Sequence, residues 1–332
     1  MKQLAVIQST ISPAAIIAEI LPSYGLTSVT KCILWAHRVN DTYLIETVTR
    51  ERYVLRIYRS HWRSEDDIRY ELDLILHLRQ RGLPVSYPIP CRDGTFVQTV
   101  GAPEGFRFAV LFSYIAGREP LNNPHDSHLY GRSVASMHLC AATFTSGHSR
   151  IELKRDALIK KPLGLIEPLM QDRDGDFRYV ADLVTSLYSD LTSMSRETLP
   201  IGVCHGDTHG LNAHIENGKL SFFDFDYCGE GWLAYDLAAF RWGFGLEQPA
   251  RASIDWPAFL TGYTDIRPPR SGEIEAVRLL GGIRHVWLIG HYIEMSYGLG
   301  MQWVNDSYIT GAVETLKRWQ DKYVVQNSPL NV

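Results

Sequence analysis

Asp207, Asn212, Asp224 and Asp226, residues able to hold a cation or accept a proton, fall in one stretch, Val203 to Ala239. Between Asn212 and Asp224 lie two short apolar runs separated by Asn217-Gly218. Asn-Gly between strand-like runs predicts a hairpin, because both residues tolerate the positive φ of a type I′ turn. Counting outwards pairs Glu216 with Lys219, Ile215 with Leu220, His214 with Ser221 and Ala213 with Phe222. The same count sets Asn212 beside Phe223, so Asn212 and Asp224 flank the open end of the hairpin, within reach of one ion. A carboxylate and an amide oxygen are hard ligands of the kind magnesium takes while keeping waters and phosphates in its other positions.

Asp207 precedes Asn212 with the Asp-x-x-x-x-Asn spacing of kinases, in which the Asp accepts the acceptor hydroxyl's proton and the Asn holds a metal. A second chemistry uses some of the same residues. His205, Asp207 and His209 alternate, with Cys204 and His214 nearby, as a zinc or di-metal hydrolase site would require. That reading leaves the hairpin, Asn212 and Asp224 without a role. His205-Gly206-Asp207 with Asn212, then Asp224-Phe225-Asp226, then Asp236-Leu237-Ala238, resembles the aminoglycoside phosphotransferase, choline kinase and type II homoserine kinase superfamily. Within it, the chain is most similar to the stress-response kinase A branch.

The chain has 332 residues, 45% of them hydrophobic, enough for a large core and two lobes. A formal net charge of −4 gives no basic footprint, so nucleic acid is not an expected partner. Five scattered cysteines without a Cys-x-x-Cys pair argue against a disulfide framework and a zinc ribbon, and favour a reducing cytoplasm. The N-terminus makes a poor signal peptide and no apolar run approaches spanning length, so no membrane partner is expected.

The elements that must position this chemistry can be read in chain order. Ser12-Pro13 predicts a helix start, with Ala14 to Leu21 helical and Gly25 closing the segment. Lys31 to Tyr58 reads as a three-strand meander. Ser64 with Asp67 reads as a capping box for a helix running to Arg81, before Gly82 and Pro84. On that helix Ile68, Leu74, Ile75 and Leu78 surround Glu71, placing a carboxylate within an apolar face, where it needs a partner. Arg107 to Ile115 reads as a buried strand, and helices are expected over His125 to Thr145, Phe177 to Met194, from Asp236, Glu273 to Met295 and Ile309 to Val324. Lys154 to Lys161 and Asp172 to Asp176 read as solvated connectors, Gly229 and Gly231 as a loop, and His138 as a packing or capping residue.

The resemblance implies an α+β, protein-kinase-like two-lobe fold, with a β-rich N-terminal nucleotide lobe over residues 1–115 and a mostly helical catalytic and acceptor lobe over 116–332. It implies ATP and Mg2+ as cofactors, a small-molecule hydroxyl acceptor and Asp207 as the catalytic residue. Asn212 and Asp224, with Asp226, would hold the metal; His205 and Asp236 would support the loop. In the first lobe Asn40 and Thr42 match the family's phosphate loop, here without glycine between Gly25 and Gly82. Arg56 stands where the family carries a phosphate-binding Lys, and Glu71 would pair with it. Ser113 and Ile115 fall at the hinge that meets the adenine edge. Arg284, Trp287, His291 and Glu294 share one helix face and, with His209, suit a polar acceptor. The expected activity is transfer of the ATP γ-phosphate to a hydroxyl of an amino alcohol, amino sugar or amino acid. A protein Ser/Thr kinase of the stress-response kinase A type and a nucleotide-binding pseudokinase are the alternatives.

Overall fold

The computed structural model describes residues 4–121, 123–243, 256–300 and 302–321. The chain divides into two compact units, Met1–Ala116 with Thr145–Arg150, and Gly117–Phe144 with Ile151–Val332.

The first unit is built on an antiparallel sheet in the order β1-β2-β3-β5-β4, with β1 Val29–His37, β2 Asp41–Thr47, β3 Arg52–Ile57, β4 Gln98–Ala102 and β5 Gly105–Ser113. Strand alternation sends Tyr43, Ile45, Leu55, Ile57, Ala109 and Leu111 to one face, where they bury against Ile16, Ile20, Leu21 and Tyr24. Those four belong to the N-terminal helical segment. It starts as α1, Pro13–Ala15, capped by Ser12, widens into a π-helical turn at Ile16–Ile20, tightens to a 3-10 turn at Leu21–Tyr24, and ends at Gly25. Helix α2, Glu65–Gln80, opens on the Ser64/Asp67 capping box and buries Ile68, Leu74, Ile75 and Leu78 around Glu71. The segment Thr145–Arg150 is tied to α2. Asp66 accepts from Ser149 N at 2.7 Å and Ser149 Oγ at 2.6 Å, Asp73 from Ser146 Oγ at 2.6 Å, and Arg150 donates to the Asp67 carbonyl at 2.7 Å.

The second unit contains α3 Pro124–Ala141, α4 Lys161–Ile166, α5 Asp174–Ser193, α6 Ala234–Gly243, α7 Trp256–Ile266, α8 Ser271–Leu299 and α9 Asp306–Gln320. Two small ladders complete it: β6 Ile201–Cys204 with β9 Gly229–Trp232, and the hairpin β7 Ala213–Glu216 with β8 Lys219–Phe222. Helix α8 is the axis, packed by α4, α5, α6 and α9. Helices α3 and α7 approach so closely that a Cβ at Gly131 would lie 1.9 Å from the Phe259 carbonyl oxygen, and one at Gly262 2.0 Å from that of His128.

Several sequence expectations need correction. β4 lies in a stretch to which the sequence assigned no element, and it pairs with β5 through a tight turn; β5 itself ends at Ser113 rather than Ile115. Gly229 and Gly231 form a strand, not a loop. Their Cβ atoms would come within 2.9 Å of Ile151 and Leu153, so a close crossing chain demands glycine there. Residues 156–166 are helical, with Leu158 and Ile159 buried, and α5 begins at Asp174 inside the supposed connector. The helix expected to reach Thr145 ends at Ala141. Of the expected last helix, residues 322–324 lie outside the described residues.

Candidate active site

The loop carrying Asp207 follows β6, and its shape is held by one buried carboxylate on α6. Asp236 accepts from the backbone N–H of His205 and of Gly206, each at 2.8 Å, and meets His138 Nε2 at 3.0 Å. Its own carbonyl accepts from Thr208 Oγ1 at 2.5 Å. Gly206 adopts φ +82°, and a Cβ there would fall 2.1 Å from the Tyr227 carbonyl oxygen, so this turn requires glycine. His205 is buried against Phe225 with ring centroids 4.3 Å apart, its Nε2 3.1 Å from the Phe223 carbonyl oxygen. Burial pushes its pKa down, so the ring serves as a neutral brace.

Both oxygens of Asp207 are engaged. Oδ1 accepts from the Arg284 guanidinium, while Oδ2 accepts from Asn212 Nδ2 at 2.9 Å and lies 3.1 Å from His209 Nε2. Burial works against ionisation, but the His209 and Arg284 charges outweigh it and hold the carboxyl well below its ordinary range. Tyr130 on α3 donates to the His209 carbonyl at 3.0 Å and fixes that residue's backbone.

The hairpin register matches the count from Asn217-Gly218, pair for pair, and both turn residues have positive φ, 50° and 73°. Phe223 N donates to the Asn212 carbonyl at 3.1 Å, which continues the ladder to the residue before Asp224. Asn212 spends Nδ2 on the Asp207 carbonyl and carboxylate, each at 2.9 Å, which turns Oδ1 the other way. Asp224 is exposed, with a positive φ of 63°, and Asp226 is buried. An amide oxygen and an exposed carboxylate at one hairpin end are hard donors, a set that fits a divalent magnesium-like ion. Among the described residues, the His, Cys and acidic side chains close enough to share an ion are His138, Cys204 and Asp236. Only Cys204 was in the zinc set considered from sequence. Burial raises its thiol pKa well above the ordinary value, and the Asp236 oxygens already accept from His205, Gly206 and His138, so this cluster is a hydrogen-bonded support.

In the first unit, Arg56 donates to Glu71 at 2.8 Å and to Tyr58 at 3.3 Å, and Tyr58 donates to the other Glu71 oxygen at 3.1 Å. Thr42 pairs with Arg56 across β2 and β3. Asn40 Oδ1 accepts from Arg59 N at 3.1 Å, tying the β1–β2 turn to the chain that leaves β3. Beneath that turn lies Arg107, singled out in the sequence only as the start of a strand. It donates to the carbonyls of Ser9, Ile57 and Tyr58 and lies 2.9 Å from Asp41 Oδ2. Ser113 O accepts from Ser86 Oγ at 2.7 Å; Tyr114, between Ser113 and Ile115, stacks on Trp35 at 5.9 Å.

The α8 stripe divides by partner. Trp287 and His291 stack with centroids 5.1 Å apart and 6° between planes, and His291 Nδ1 lies 2.9 Å from the Tyr227 hydroxyl. Burial lowers the His291 pKa to about 4, which keeps the ring neutral. Glu294 pairs with Lys161 at 2.9 Å. Tyr227, Tyr235, His138 and Lys161 were not singled out in the sequence as site residues. Each is a single polar residue whose partner is distant along the chain, so spacing carried no signal.

Helices and strands of this kind have known counterparts. A 29% identical homoserine kinase of Sinorhizobium medicae aligns over 253 residues, 73% of this chain and 72% of the relative. The solved microcompartment-associated aminopropanol kinase is similar, with a TM-score of 0.75 at 20% identity over 95% of this chain and 100% of that one. So is an amicoumacin kinase solved with AMP-PNP, Ca2+ and amicoumacin, with a TM-score of 0.71 at 18% identity over 92% and 93%. These likenesses establish the protein-kinase-like fold; they do not reach down to the stress-response kinase A branch. The family model described as "Phosphotransferase enzyme family" matches residues 34–268, and the chain therefore belongs to that family.

Proposed function

We propose that this chain is an ATP-dependent kinase that moves the γ-phosphoryl group to the hydroxyl of a small amino alcohol or hydroxy amino acid. The observation that carries the reading is the Asp207 carboxylate. It is ionised, oriented through both oxygens, and bonded at 2.9 Å to the same Asn212 that flanks the end of the Asp224 hairpin. Phosphoryl transfer proceeds through a loose transition state, so positioning and charge neutralisation supply most of the catalysis. Asp207 orients the acceptor hydroxyl and takes its proton late in transfer. Asn212 and Asp224, with Asp226, would hold a divalent cation, which would supply charge neutralisation at the phosphate oxygens. Arg56, positioned by Glu71, grips the phosphates; the β1–β2 turn with Asn40 and Thr42 and the backbone of Ser113 and Ile115 hold the rest of the nucleotide.

The amine-bearing acceptor class is supported by the names of the similar kinases, homoserine and aminopropanol among them. Nucleotide and divalent metal use are supported by the AMP-PNP and Ca2+ of the amicoumacin kinase. Trp287, His291 and Tyr227 offer an aromatic, uncharged wall, and the Lys161–Glu294 pair offers both signs of charge to a zwitterion. ADP release from Mg·ATP, followed with homoserine, 1-amino-2-propanol, ethanolamine, choline and a denatured-protein acceptor, tests this reading. Stimulation by one of the amines supports it. Stimulation by the protein acceptor alone would replace it with a protein kinase.

A further inference from the structure

Arg284 shares a helix face with Trp287 and His291, but its own guanidinium is already committed. It is 2% exposed. One terminal nitrogen donates to Asp207 Oδ1, the other to the Gly206 carbonyl at 2.9 Å and the Tyr235 hydroxyl at 3.1 Å. The Trp287 ring lies 4.3 Å from its Cζ. Nη1 has an acceptor for each of its two hydrogens and Nη2 keeps one hydrogen beyond the Asp207 bond, but the whole side chain, Nε included, is buried, which leaves little of the fork open to an acceptor.

Resting on the phosphotransferase reading, we propose that Arg284 is a positioning residue for the transfer, fixing the Asp207 carboxylate and the Gly206 peptide rather than binding the acceptor. A carboxylate rotates freely about its last bond unless both oxygens are held. Here Arg284 holds Oδ1 while Asn212 holds Oδ2, so the remaining lone pairs point in set directions. The hydroxyl to be phosphorylated must meet one of them, and a misplacement of about 1 Å costs on the order of 10²-fold in rate. Because Arg284, Trp287 and His291 ride on one rigid helix, the orientation of the base and the aromatic wall are fixed by the same element. The charge of Arg284 also helps keep Asp207 ionised.

The test compares wild type, Arg284→Met and Arg284→Lys with the amine panel above, measuring kcat, both KM values, ADP binding and thermal unfolding. The expected result for Arg284→Met is a fall in kcat of roughly 100-fold with the ATP and acceptor KM within about twofold. Arg284→Lys keeps the charge without the fork, and is expected to recover about tenfold of that loss. A raised acceptor KM at unchanged kcat would make Arg284 an acceptor ligand and overturn the inference. If Arg284→Met does not fold, Arg284→Lys decides alone: reduced kcat at constant KM upholds the inference, and unchanged kcat overturns it. If wild type itself transfers nothing to any acceptor, the phosphotransferase reading fails and this inference falls with it. An active wild type with an equally active Arg284→Met overturns the inference only.

Discussion

Glu71 has no exposed surface and receives the Arg56 guanidinium at 2.8 Å and the Tyr58 hydroxyl at 3.1 Å, one on each oxygen. Removing one partner of a buried pair strands the other charge, at a cost of about 3–5 kcal/mol, whereas removing both can be nearly neutral. Glu71→Leu is therefore expected to lower the urea midpoint sharply. Arg56→Met/Glu71→Leu should regain much of that stability while binding Mg·ATP at least tenfold more weakly than wild type. A double variant no more stable than Glu71→Leu would show that the pair is not coupled.

Asp236 gathers two backbone N–H groups and His138 on one carboxylate. An Asn in its place would turn an NH2 group toward one of these donors. Hydrogen bonds to charged groups contribute about 1.5–3 kcal/mol each, so Asp236→Asn should cost roughly 2–4 kcal/mol in stability. Turnover should fall as well, because the loop carrying Asp207 loses its brace. Melting temperature and kcat measured together check both effects.

Gly206 and Gly218 both have positive φ, but only Gly206 is crowded. Gly218→Ala should cost about 1 kcal/mol from backbone strain alone. Gly206→Ala adds a collision with the Tyr227 backbone and should cost distinctly more, with loss of activity. Equal melting temperatures for the two variants would contradict the close approach.

His285 is buried, with Nε2 2.8 Å from the Ala312 carbonyl oxygen, and burial lowers its pKa to about 4. The unfolded chain takes up a proton at this residue near the ordinary value of about 6.5, the folded chain only near 4. The unfolded state thus binds more protons between those values, so stability is unaffected above the upper pH and falls as pH drops toward the lower. The loss is about 3 kcal/mol once pH reaches the lower value, and constant below it. His285→Gln, which keeps a donor for Ala312 and does not titrate, should flatten this acid limb in urea unfolding at pH 4 to 7. An unchanged slope would contradict the assignment.

What could be read from the sequence was local. Asn217-Gly218 dictates a turn type and hence a register, so the neighbours of Asn212 follow from counting. Glu71 betrays itself because a carboxylate interrupts an apolar helix face. Arg107 gave no such sign: it sits in an apolar run, and the carbonyls it satisfies come from Ser9, Ile57 and Tyr58. The bond from Arg284 to Asp207 spans 77 residues and that from His138 to Asp236 spans 98, and no periodicity encodes either. β9 was hidden because its glycines answer to a crossing chain rather than to strand propensity. The two-unit, kinase-like fold was legible through its motifs, since phosphate chemistry fixes residue types at short spacings.

The most direct test is transfer of γ-labelled phosphate from Mg·ATP into a metabolite extract supplemented with the amine panel, wild type beside Asp207→Asn. Asn keeps the size of the side chain and removes the charge that Arg284 and His209 face. A labelled small molecule is expected from wild type, with at least a 100-fold slower appearance of it with Asp207→Asn. Equal labelling by the two proteins would contradict the role of Asp207. No label in any product, from a wild type that still binds Mg·ATP, would contradict the kinase itself.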